Sequence, residues 1–287
     1  MLWPKKWRDA APKPDRDEIV PAELPIALDG RLFAQHFAKL AESVEPDGGA
    51  EAYLERLGAK QRVYAEVLGA AADGLDMDAI ERLLGHVFTA RRHLPPALEE
   101  LGGERCARLV SGLIARDAPV ARRMQDFVDA MPGAQAIERR EMQAAARLRR
   151  AAWDFAAEVV HFGDPVRFPL MSRWVWDRAT QSGALREFIR GNDALAEIPF
   201  DNSPGVFEAA RRWMAERIAE NGIYRDVPLW IDLVLAQAYV GYLRSMTDGS
   251  LGADFGRSAA PHEQLAKLLG IDAPPNGARS RVKKQAA

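Results

Sequence analysis

Cysteine is nearly absent from this chain, whose 287 residues include only Cys106. A single cysteine excludes an internal disulfide and every zinc or iron–sulfur site that needs several thiolates. Cys106 shares an apolar helical register with Leu109, Val110 and Leu113. This register predicts a small buried thiol rather than a nucleophile.

Lysine is missing from the middle of the chain, with none between Lys60 and Lys267. The gap leaves no Schiff-base or P-loop lysine there, which argues against pyridoxal-phosphate enzymes and Walker-type nucleotide hydrolases. The motifs HExxH and GxSxG are also absent, and no GxGxxG opens a helix after a strand. These absences favour a protein that is not an enzyme.

Neither sign of charge dominates, because 39 Lys and Arg residues face 41 Asp and Glu residues, for a net charge of -2. A long phosphate backbone needs a basic field, so nucleic acid is not an expected partner. The most apolar run, residues 227–243, contains Asp232 and Gln237 and falls short of the roughly 20 apolar residues that span a bilayer. Residues 1–8 carry charge without a following apolar signal region. We expect no membrane partner and a cytoplasmic location.

Strand-forming patterns are scarce as well. Threonine occurs only at Thr89, Thr180 and Thr247, and apolar residues recur at spacings of three and four nearly throughout. The sequence therefore predicts an all-α fold: one bundle-like helical domain over residues 29–248 with flexible extensions at both ends. Residues 1–28 form a proline-rich arm, and residues 249–287 a linker, a short amphipathic helix and a basic tail.

A Glu-x-x-His motif lies near the end of a long predicted helix. Ferritin-like bundles hold iron with this spacing, because both side chains project from one helix face. The candidate ligands for iron or another transition metal are Glu158, His161, His86 and His93. The alternative is a structural histidine beside a glutamate in a solvated ion-pair ladder with Arg150 and Asp154.

Aromatic and basic residues are concentrated in segment 161–190, which lacks long helical periodicity. Trp and Arg are enriched at interface hot spots, so this segment is a candidate contact surface. Its candidate contact residues are Phe168, Arg173, Trp174, Trp176 and Arg178. The alternative is a long connection that its aromatic side chains anchor to the core.

Two further features need a partner. Asp232 lies within an apolar helix, so its carboxylate must be paired or protonated. One expectation is an ion pair with an arginine from residues 167–190, and the alternative is a catalytic acid that faces a cavity. The short C-terminal helix presents Leu265, Leu268 and Leu269, which dock on their own domain or on another protein.

These observations together predict a non-catalytic interaction protein, an adaptor or regulatory subunit, that binds a protein partner and no cofactor. The alternative is a metal- or cofactor-binding helical bundle, possibly a metal-dependent oxidoreductase that uses Glu158 and His161.

Overall fold

The computed structural model describes residues 17–133, 135, 137–247 and 259–272, and these residues form ten α-helices and no β-strand. The predicted all-α fold is therefore confirmed. The helices are α1 (Gly30–Val44), α2 (Gly49–Gly69), α3 (Met77–Gly85), α4 (Pro95–Leu101), α5 (Gly103–Ile114), α6 (Val120–Asp129), α7 (Arg139–Gly163), α8 (Pro204–Glu220), α9 (Val227–Thr247) and α10 (Pro261–Leu268).

Local chemistry explains where several helices begin. The Asp29 carboxylate accepts a hydrogen bond of 2.7 Å from the backbone N–H of Arg31 at the start of α1, and Asp76 caps α3 in the same way. Such caps satisfy amide groups that have no partner inside the helix. Helices α4, α8 and α10 begin with proline, which has no N–H to leave unsatisfied.

The core surrounds the second half of α7, where residues 151–162 are buried on almost every side. Helices α2, α5 and α6 pack against α7, and α9 packs against α1, α8 and a short 3-10 helix, Ala184–Phe188. Helix α9 is apolar around most of its circumference, and it is therefore covered by neighbouring elements on several sides. None of the helices described here is both long and apolar enough to cross a membrane.

The segments that flank residues 29–248 also contact this core where the structure describes them. The backbone N–H of Ala22 donates to the carbonyl of Gly205 over 2.9 Å, and the buried Asp17 carboxylate pairs with Arg123 over 2.7 Å. Helix α10 packs on α9 and α1. Most of the predicted arm (residues 1–16), the predicted linker (residues 249–258) and the basic tail lie outside the described residues.

Candidate functional site

A buried ion pair joins two central helices. The Lys60 ammonium on α2 donates to Glu158 Oε2 on α7 over 2.5 Å, and both side chains are almost fully buried. Lys60 Nζ also donates to the carbonyl oxygens of Leu269 over 2.8 Å and His86 over 3.2 Å. These bonds use all three ammonium hydrogens. The Phe162 ring, with its centroid 4.1 Å from Nζ, covers the remaining side.

The sequence offered a solvated ion-pair ladder of Arg150, Asp154 and Glu158 as an alternative to a metal site, and the structure does not contain this ladder. Arg150 is exposed, but Asp154 and Glu158 are buried because this half of α7 is enclosed by other helices. Asp154 accepts a hydrogen bond from the backbone N–H of Arg173 over 2.9 Å. Burial raises the pKa of Glu158 to about 7, although Lys60 opposes the shift, and raises the pKa of Asp154 to about 6.

Asp232 has a histidine as its partner, where we expected an arginine from residues 167–190. Its Oδ2 lies 2.9 Å from Nε2 of His161, because α9 brings it against the end of α7. Nδ1 of His161 donates to the carbonyl of Phe168 over 2.8 Å, so both ring nitrogens are engaged. The pair borders an apolar cavity of about 20 Å³. Such a volume holds about one water molecule and no substrate.

The four proposed metal ligands do not meet. Glu158 is bound by the Lys60 ammonium, and His161 by Asp232 and Phe168. Nδ1 of His86 lies 2.9 Å from the carbonyl of Gly270, while His93 lines a separate surface groove. Across the part of the chain that the structure describes, no three His, Cys, Asp or Glu side chains form a metal-binding group.

The aromatic residues of segment 161–190 lie in the core. Phe168, Trp174 and Trp176 are at most 5% exposed, and these rings therefore form no outer contact surface. Arg173 bonds to Asp177 four residues on, and Arg178 is exposed. The placement matches the alternative in which aromatic side chains anchor a long connection.

Helix α10 docks on its own domain through Leu265, Leu268 and Leu269, which are all buried. Several polar contacts strengthen this docking. They include the Lys60 bond to Leu269, the contact of His86 with Gly270, and the 2.8 Å ion pair of Arg91 with Asp272. The apolar edge of α10 is thus covered within the molecule.

A surface groove is a further feature that the sequence did not predict. It measures about 970 Å³ and lies between α4, the α6–α7 connection and the first half of α7. Its apolar lining includes Pro96, Leu101, Met131, Pro132, Ala144 and Leu148. Two large apolar side chains of this region, Ile137 and Met142, are 89% and 55% exposed. No single sequence motif marks the groove, because its lining comes from separated segments.

The raised pKa values of Glu158 and Asp154 give a pH prediction. A carboxyl group with a raised folded-state pKa stabilises the fold fully below its unfolded value, and this stabilisation is lost as pH rises through the folded value. For Glu158 the window runs from 4.5 to about 7. We expect the free energy of unfolding of wild type, relative to Glu158→Gln, to fall by about 2 kcal/mol between pH 5 and pH 8.

Urea unfolding at several pH values measures this difference. Burial lowers the pKa of His36 and His86, and their protonation in the unfolded chain reduces stability at acid pH. Both proteins contain these histidines, so the comparison removes their contribution. A difference that stays constant or grows with rising pH would contradict the assignment.

Comparisons with protein-family models, with curated proteins and with solved structures find no match.

Proposed function

We propose that this protein is a non-catalytic helical interaction protein, an adaptor or regulatory subunit, whose contact surface is the groove beside α7. The observation that carries the proposal is the groove itself. It is lined by apolar and charged side chains, and Ile137 and Met142, which do not line it but neighbour its lining residues in the sequence, are exposed to water. Exposed apolar surface beside a groove is typical of sites that receive a helix or an extended segment of another protein.

The internal polar groups support a structural role over catalysis. Lys60 and Glu158 bond to each other, and Lys60 also bonds to two backbone carbonyls. His161 and Asp232 bond to each other beside a cavity with room for about one water molecule. A catalytic group must reach a substrate, and these side chains are enclosed by the core. We also propose that the protein binds a protein partner and no cofactor, and that it is cytoplasmic.

The groove is tested by selecting binders from a random peptide display library on the full chain, followed by binding measurements on two variants. Ala144→Trp places a large ring at an exposed position in the groove. Ala38→Trp makes the same change at an exposed position on α1, which does not line the groove. We expect selected peptides to lose at least about tenfold in affinity for the first variant and to bind the second like wild type.

Thermal unfolding of both variants checks that each is folded, and exposed helical positions tolerate such changes. A library that yields no specific binder would contradict the proposal. Binders that Ala144→Trp leaves unaffected would also contradict it, because the contact surface would then lie elsewhere.

A further inference from the structure

The first half of α7 lies outside the core. Residues 139–150 are exposed or half-buried, in contrast to residues 151–162 of the same helix. This half carries Arg139, Arg140, Arg147 and Arg150, all exposed. A helix turns about 100° per residue, so these four arginines fall within an arc of about 100° on one face. They form a basic stripe, defined here as these four residues.

The basic stripe has no acidic partner among the residues that the structure describes. None of its arginines forms an ion pair with any acidic residue that the structure describes, whereas Arg149 on another face bonds to Asp129 over 2.5 Å. Four like charges on one helix face repel one another, and this repulsion is relieved when an anionic group binds.

The groove adjoins one edge of the basic stripe. Arg147 lines the groove, and Arg140 lies about 20° from Arg147 around the helix, whereas Arg139 and Arg150 lie about 60–80° further from the groove. The groove is lined by the cations Arg105 and Arg147 and by the acids Glu100, Glu141 and Asp129, and Asp129 is paired with Arg149. His93 also lines it, and Glu138 precedes α7 as an exposed acid. The groove is thus nearly balanced in charge, and the positive surplus lies along its edge.

We infer that the partner is an amphipathic helical segment with an apolar face and an acidic flank. The apolar face fills the groove, and the acidic flank pairs with the basic stripe. This inference rests on the proposed function and specifies the chemistry of the partner.

The chain's own ends do not match this description. Residues 1–16 contain five Lys and Arg residues and two Asp residues, and residues 273–287 contain four Lys and Arg residues and no acid. Both ends are positively charged and repel the basic stripe. A polyanion without an apolar face, such as nucleic acid, leaves the groove unfilled. A membrane surface is too broad and flat to enter it.

The experiment compares the binding of two synthetic helical peptides to the full chain, with fluorescence anisotropy as the readout. Both have leucine at positions i, i+3, i+4 and i+7, and their flanking residues are glutamate in one and lysine in the other. We expect the acidic peptide to bind at least about tenfold more tightly at low salt, and the difference to shrink at high salt. The double variant Arg140→Glu, Arg147→Glu, which changes the two stripe arginines nearest the groove, is expected to remove the difference. The control Arg31→Glu, Arg62→Glu, which changes exposed arginines of α1 and α2, is expected to retain it.

Other outcomes overturn the inference. Equal binding of both peptides, lost in Ala144→Trp, would contradict the acidic partner but leave the proposed function in place. No binding of either peptide, with groove binders also absent from the library, would contradict both. Binding to phosphatidylserine vesicles or to single-stranded DNA that depends on Arg140 and Arg147, without peptide binding, would replace the protein partner with an anionic lipid or a polynucleotide.

Discussion

Glu158→Ala is expected to lower the free energy of unfolding by about 3–5 kcal/mol at pH 7, because it leaves the buried Lys60 ammonium without its counterion. The Lys60 side chain is 1% exposed, so its ammonium cannot reach water while α2 and α7 remain packed. Its remaining partners are two backbone carbonyls and the face of Phe162, which do not neutralise a full charge. Urea unfolding followed by circular dichroism measures the loss.

Two controls make the result specific. The ion pair of Arg122 with Asp126 spans 2.8 Å but is exposed, and Asp126→Ala is expected to cost less than about 1 kcal/mol. The double variant Lys60→Met, Glu158→Leu removes both charges, and we expect it to be more stable than Glu158→Ala. If Glu158→Ala lost no more stability than Asp126→Ala, the buried pair would not hold the two helices together.

Gly270→Ala is expected to release α10 and to cost about 3 kcal/mol or more. Gly270 has a φ of +65°, a conformation that side chains disfavour, and an added Cβ would lie 1.6 Å from the carbonyl oxygen of His86. That overlap forces Gly270 away from His86. The same movement breaks the hydrogen bond of Lys60 to the Leu269 carbonyl. Hydrogen exchange is expected to show loss of protection in Pro261–Leu268.

Gly222→Ala is the matched control. Gly222 also has a positive φ, +77°, but no atom lies within 4 Å of an added Cβ. We therefore expect only the backbone cost of about 1–2 kcal/mol and unchanged exchange in α10. Equal effects of the two substitutions would mean that the close approach of Gly270 to His86 does not hold α10.

The all-α fold follows from the sequence because helical periodicity is local. Asp29 and Asp76 cap the helices that follow them, and the apolar run with Asp232 is a buried helix. These features depend on neighbours within a few residues, so spacing and capping chemistry predict them.

Long-range pairings could not be read in the same way. His161 meets Asp232 across 71 residues, and Lys60 meets Glu158 across 98. One signal for Lys60 was present, since it shares a helical register with the buried residues Leu57 and Tyr64. The hydrophobic pattern shows that such a position faces inward, but not which acid it meets.

The composition of segment 161–190 does not decide whether its aromatic side chains lie at the surface or in the core. Trp174 and Trp176 have the composition of an interface hot spot, and the same composition suits a connection anchored in the core. The structure places them in the core. The groove depends on how α4 and the α6–α7 connection meet α7, which composition does not specify.

The most direct test of the account is hydrogen–deuterium exchange of the full chain with and without the acidic amphipathic peptide. We predict that the peptide slows exchange in Pro95–Leu101, in the described part of the α6–α7 connection and in residues 139–150, while the core around Lys60 and His161 is unchanged. Protection confined to residues 168–178 or to α10, or no protection anywhere, would contradict the assignment of the groove as the contact surface.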